Sequence, residues 1–416
     1  MLTDVHIKGF KSLADLKTPL HPLTVVFGPN AAGKSNFLEA LLLLSRLVTE
    51  RTVAEALSPP VRGLPLEAFH LPATGLKGLL EQKSAALSIE ARLNLPRSKE
   101  RKRAQSLTYR VACNLRPSSG AVGLSDEFLS SGNASSKPRI EREGDQLILR
   151  QSSGGGHPIH EPLPANHTQV SNPRWSGNRY PLLDAVREEL AAWRVYYLDP
   201  RDAMRSEQGP REVPDIGVRG ESIAPFLFRL KQDERLKGRF DAVRRGLQQV
   251  IPGIEGLDVD LDERRGTLDV RITQGGTEYS SRIISEGTLR VLALCAITAD
   301  PWGHSLVAFE EPENGVHPRR IEVIAQMLNK IARQPDRQVV VTTHSPTFVR
   351  EALMLRRAHP EHVGLLVCGR EGNATTLRPL EDPRELFEDE AIRESLSGDE
   401  DATMVTSMLE RGWLGG

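Results

Sequence analysis

The stretch that most restricts how this chain can fold is Gly28–Ser35, GPNAAGKS, set between the apolar run LTVVF and the almost wholly apolar FLEALLLLSRLV. LTVVF is short, apolar and rich in β-branched side chains, and reads as a buried strand. The segment from Ser35 to Val48 is apolar nearly all round and reads as a buried helix. Between them the full pattern G-x-x-x-x-G-K-[ST] lets the backbone curl so that successive N–H groups face phosphate oxygens, with the positive end of the following helix behind them. On this reading Asn30, Ala31, Ala32, Gly33, Lys34, Ser35 and Asn36 hold the phosphates of ATP. Lys34 reaches the β and γ phosphates, and the Ser35 hydroxyl ligates Mg²⁺.

A second constraint is the carboxylate pair of LVAFEEPEN, Glu310 and Glu311. Neighbours in a strand point to opposite faces, so one of the two would turn a charge toward packed side chains. Such a charge is costly unless paired or set against a metal. A phosphate loop needs an acidic strand end of this kind. Glu310 is therefore assigned to the magnesium shell and Glu311 to the general base that activates water. Two weaker signals join them. In IISEGTLRVLALCAI, Ser285, Glu286 and Gly287 open a helix, where a hydroxyl and exposed N–H groups cap the helix or meet an anion. In VVVTTHSP, His344 ends a strand. In isolation, each reads first as ordinary structure.

The rest of the chain gives the architecture. DVHIKGF, 85–95 and 106–115 alternate as antiparallel strands do. Residues 116–175 are rich in Ser, Gly, Pro and His and read as loops around one short strand, 146–150. Helices are expected over 182–193, 221–251, from Thr288 and over 319–333, and strands over 195–199, 305–310 and 338–343. Alternating helix and strand in the last third imply an α/β fold with a mostly parallel sheet flanked by helices, behind a β-rich N-terminal lobe. The chain reads as one ATPase over 1–416, with an irregular insertion over 97–180 and a C-terminal lobe over 200–416. The net charge of −1 argues against a broad basic coat for nucleic acid. The local run RSKERKR, 97–103, reads as a solvated hairpin tip, with phosphate contact on DNA or RNA as its alternative. Three scattered cysteines match no disulfide or zinc spacing, and no apolar run is long enough to cross a membrane, so a reducing cytoplasm is expected.

Taken in order, IKGFKSL, GPNAAGKSN, ISEGTLR, EEPENGVHP and TTHSP resemble the opening strand, Walker A, signature, Walker B with D-loop, and switch histidine of the ABC-type ATPases. The resemblance is to their RecF, SMC and OLD group rather than to transporters. It implies a homodimer closed around ATP, with Ser285, Glu286 and Gly287 of one chain meeting the γ-phosphate held by another. It places Asn314 at the subunit contact and His344 at the γ-phosphate or the attacking water. OLD nucleases carry a Toprim domain after the ATPase. The segment beyond His344 is shorter than a typical domain of about 100 residues, so the resemblance is to stand-alone OLD-like ATPases. The closing ERGWLGG is similar to their ends. Those ATPases pair with a separate effector, in antiphage defence or DNA repair, and nucleic acid is a candidate partner. The rival readings are a transporter ATPase subunit, a scaffold that holds ATP with little turnover, and a self-contained nuclease.

Overall fold

A computed structural model describes residues 1–95, 105–132, 136–152 and 156–380. The basic run 97–103 and the closing ERGWLGG lie outside the described residues. The chain divides into two compact units, residues 1–193 with 364–380, and residues 194–363.

In the first unit, eight described strands form an antiparallel sheet. Their spatial order is Leu13–Pro19, Leu2–Phe10, Ala85–Leu95, Gln105–Arg116, Ala121–Ser131, Ile140–Glu143, Gln146–Leu149 and Ile159–Pro162. Ala85–Leu95 and Gln105–Arg116 pair without a register shift from Ala85↔Leu115 to Leu95↔Gln105. Their alternation is expressed directly, since Leu87, Ile89, Ala91, Leu93 and Leu95 are all buried. Residues 116–175 hold more strand than their composition implies. Ala121–Ser131 has only Leu124, Glu127 and Leu129 buried. A register shift opposite Ala112/Cys113 breaks the two-residue period, so no alternation shows in the sequence.

The same unit contains the buried strand Leu23–Phe27 and the helix Lys34–Thr49. Leu23–Phe27 neighbours Val363–Glu371, which pairs antiparallel with Ala374–Pro379. The helix packs on Pro181–Ala191, with the Ser45 hydroxyl donating to the Leu190 carbonyl at 2.7 Å.

In the second unit, Leu306–Glu310 and Gln338–Thr343 are parallel and in register, Leu306↔Gln338 to Glu310↔Thr342. The connection between them runs through the helix Ile321–Ala332, as a parallel pair requires. One face of that helix, Ile321, Ile324, Leu328 and Ile331, is buried at the spacing the sequence predicts. The segment 221–251 is two helices, Ile223–Gln232 and Lys237–Val250, because Asp233 leaves the helical region. A three-stranded antiparallel sheet, Ile254–Asp262, Thr267–Gln274 and Thr277–Ser280, follows. Among the described residues no helix is long and apolar enough to cross a membrane.

Candidate functional site

The phosphate-loop residues belong to the first unit. Ala31 and Gly33 both have positive φ, 64° and 106°, and the loop closes onto the helix Lys34–Thr49 with Gly33 as its N-cap. No side chain caps that helix and its first turn holds no acidic residue. A helix start with neither a capping side chain nor an acidic residue is the arrangement that suits an anion. The Lys34 ammonium lies back over the loop, donating to the Gly28 and Pro29 carbonyls at 2.8 Å each. Asn30 and Ala31 are exposed at the tip, and Ala32 is buried. The Asn36 amide donates to the Ser12 hydroxyl at 2.7 Å.

Behind the loop, the fully buried Glu39 takes Lys11 Nζ at 2.5 Å and Arg62 Nε at 2.7 Å. Two cations on one buried carboxylate tie Lys11 and Arg62 to the phosphate-loop helix. A cleft of about 530 Å³ is lined there by Lys11, Ser12, Arg62, His70, Arg370 and Asn373. It adjoins the loop, since Arg370 Nη1 reaches the Ala31 carbonyl at 3.4 Å. Glu39, Arg62 and Arg370 carried no motif and were not anticipated from the sequence.

The acidic residues belong to the second unit. The strand ends at Glu310, and Glu311 leaves it in the left-handed region, φ 45°. A non-glycine residue held there costs about 1–3 kcal/mol and needs its surroundings to hold it. Here they do. The Glu311 N–H donates to the Thr342 carbonyl at 3.0 Å. Its Oε1 lies 2.7 Å from His344 Nδ1, and its Oε2 accepts from Asn314 Nδ2 at 2.7 Å. Strand alternation therefore does not govern this pair, because the chain turns between the two carboxylates. With Nδ1 on a carboxylate, the proton of a neutral His344 sits on Nδ1 and leaves Nε2 as an acceptor.

Glu313 was missed by the sequence reading. It is buried, accepts the Thr343 hydroxyl, and has no hydrogen-bond partner for Oε2 among the described residues. Burial pushes its carboxyl up to about 7, against the pull of Thr343. Arg290 was also missed. Burial lowers its guanidinium from the usual range, while Glu286, Asp199, Glu311 and Glu313 favour its charge.

Ser285 caps the helix Glu286–Thr298, its hydroxyl accepting from Thr288 N at 3.2 Å. Glu286 pairs with Arg201 at 2.7 Å. Gly287 lies so close to the loop after Glu311 that a Cβ there would meet the Gly315 carbonyl oxygen at 2.2 Å. Ser285, Gly287, Thr288, Gly315, His317 and Arg319 line one pocket of about 500 Å³. The second unit thus brings Glu311, Asn314 and His344 into direct contact and sets Ser285 and Gly287 beside the same loop.

A family model described as "AAA domain, putative AbiEii toxin, Type IV TA system" matches residues 23–350. An OLD nuclease of Thermus scotoductus is 24% identical over 365 residues, which is 86% of this chain and 62% of that protein. The chain therefore spans less than two thirds of that relative's length. Among solved structures, an SMC head bound to the C-winged helix domain of ScpA superposes with a TM-score of 0.51 at 14% identity, covering 91% of this chain and 97% of that one. The SMC head of Pyrococcus furiosus, with an extended coiled coil and the C-terminal domain of ScpA, does so with a TM-score of 0.51 at 11% identity, covering 95% and 99%.

Proposed function

The chain belongs to the AAA_21 family, as an OLD-like P-loop ATPase of the RecF and SMC group with an SMC-head fold, and from that premise we propose that it hydrolyses ATP to ADP and phosphate as a switch. The observation that carries the reading is the Glu311 carboxylate, held by His344 and Asn314 in a strained turn at the end of an apolar strand. A carboxylate aimed so firmly suits a base that must meet a water in one place. Lys34 and the open start of its helix bind the β and γ phosphates. Ser35 and Glu310 would hold Mg²⁺, which would supply charge neutralisation at the phosphates. Glu311 accepts a proton from water as the water oxygen bonds to the γ-phosphorus and the bond to the leaving oxygen of ADP breaks. His344, hydrogen-bonded to Glu311, keeps that carboxylate oriented and meets the water or the γ-phosphate.

We further propose that two chains share each site, Ser285, Glu286 and Gly287 of one closing over the γ-phosphate on the Lys34 of the other, with Asn314 at the contact. Each chain would contribute the 1–416 ATPase with its two lobes, and the ATP state would govern a separate effector or a nucleic acid in antiphage defence or repair. Three buried, unpaired cysteines suit a reducing cytoplasm. Nucleotide titration and phosphate release with Mg²⁺ test the core of this reading. Wild-type chain should bind and turn over ATP, and Lys34→Ala should lose binding. Unchanged affinity in Lys34→Ala would sink the phosphate-loop assignment.

The name of the Thermus scotoductus relative favours one second reading, in which this chain also cuts nucleic acid. The chain alone is expected not to nick plasmid with Mg²⁺ or Mn²⁺. Nicking that persists in a Glu310/Glu311 double variant would establish that second activity.

A further inference from the structure

We propose that Thr375, in the strand Ala374–Pro379, is a positioning residue for the phosphate loop, acting through a one-way chain of hydrogen bonds that starts at Asn36. The proposal rests on the reading of Gly28–Ser35 as a phosphate cradle. Thr375 is 3% exposed. Its hydroxyl donates to the Ala32 carbonyl at 2.7 Å and lies 2.6 Å from the Ser12 hydroxyl. The Ser12 hydroxyl in turn accepts from the Asn36 amide at 2.7 Å.

The proton positions along these bonds are set by what each group can do. A carbonyl only accepts, so the one hydroxyl proton of Thr375 goes to Ala32. The Ser12 proton must then go to Thr375, and Ser12 receives its own bond from Asn36. All three bonds run in the same direction, the arrangement in which neighbouring bonds strengthen one another. The Thr375 N–H also donates to the Ser12 carbonyl at 2.7 Å, so the two hydroxyl-bearing segments are clamped by backbone as well.

The consequence for phosphate is geometric. The Ala32–Gly33 peptide is planar and trans, so its C=O and N–H point in opposite directions. Holding the carbonyl on Thr375 turns the Gly33 N–H to the other side, to join the uncapped N–H groups that open the helix. Gly33 is required for the same reason as well as for its φ of 106°: a Cβ there would lie 2.0 Å from Thr375 Oγ1. The hydroxyl occupies the place a side chain would take. Thr375 is 343 residues from Ala32 and belongs to no phosphate-loop pattern.

The test is titration of wild type, Lys34→Ala, Thr375→Val and Thr375→Ser with Mg-ATP and with pyrophosphate alone, together with steady-state turnover and thermal unfolding. Thr375→Val keeps shape and removes the hydroxyl. It should weaken both ligands about tenfold, the scale of one hydrogen bond, raising KM and leaving kcat within about twofold. Thr375→Ser should return affinity to within about twofold of wild type. Affinity unchanged in Thr375→Val, or equally weak in Thr375→Ser, would overturn the proposal while Lys34→Ala still reported a working phosphate loop. If Thr375→Val does not fold, Thr375→Ala removes the same hydroxyl, and wild-type affinity there would overturn it equally. A wild-type chain that binds neither ligand overturns the functional reading, and the positioning role with it.

Discussion

Glu310 and Glu311 are adjacent carboxylates in unlike settings, and the difference sets what each replacement should do. Glu311 sits in a left-handed turn with both oxygens engaged, one by His344 and one by Asn314. Glu311→Gln keeps the shape and removes the proton acceptor. It should bind ATP as wild type does and lose about 10²–10⁴-fold in turnover, measured as phosphate release. If Glu310→Gln gave the binding-competent, inactive protein instead, the two roles would be exchanged. A different carboxylate offers a pH test. Glu127 is fully buried and accepts from Tyr109 Oη, Gln169 N and Val170 N. Burial nevertheless pushes its pKa from 4.5 to about 7. The folded chain therefore holds this proton more tightly than the unfolded one. Its contribution is greatest below pH 4.5 and is lost as pH rises through about 7, on the order of 3 kcal/mol in all. The thermal midpoint should fall less steeply between pH 5 and 8 in Glu127→Gln than in wild type, and equal slopes would contradict this. Such residues were not legible in the sequence. The phosphate loop could be read because its ligands are contiguous, whereas Glu127, Glu313 and Thr375 acquire their character from partners tens to hundreds of residues away.

At the scale of elements, regular periods were legible and interruptions were not. The face of Ile321–Ala332 and the alternation of Ala85–Leu95 follow directly from residue spacing. The strand Ala121–Ser131 was hidden because it bulges opposite Ala112/Cys113 and one of its three buried positions is a glutamate. The hairpin Val363–Glu371 with Ala374–Pro379, which buttresses the phosphate loop through Thr375, was not read at all, since it carries no motif. Close approach between elements gives a paired prediction. Gly287 has no unusual φ, yet a Cβ there would press on the Gly315 carbonyl at 2.2 Å. Gly287→Ala should push the helix Glu286–Thr298 off the loop that follows Glu311, costing about 1–3 kcal/mol of stability and, on the proposed reading, most of the ATPase rate. Gly238, in the helix Lys237–Val250, would put its Cβ into open space. Gly238→Ala should raise stability by about 0.4–1 kcal/mol and leave turnover unchanged. Urea unfolding of both variants decides the matter, and a Gly287→Ala protein as stable as wild type would remove the close contact from the account.

At the scale of the whole molecule, the open question is how many chains make one site. The helix Glu286–Thr298 is capped by Ser285 and carries Glu286 in its first turn, and Ser285 and Gly287 line a pocket beside the loop that carries Asn314. On the proposed reading the phosphate loop supplies its ligands from its own unit. The Ser285 helix start of one chain then closes over the γ-phosphate held by its neighbour, and a two-fold dimer makes two equal sites. The most direct test is the ATPase rate of a mixture of Lys34→Ala and Ser285→Arg proteins. Each alone should be inactive, because every site in it carries a defect. In the mixed dimer both defects fall into one site and the other is wild type at both positions. Mixing two inactive proteins should therefore restore part of the ATPase rate. A mixture that stays inactive while mixed dimers demonstrably form would contradict two independently firing shared sites.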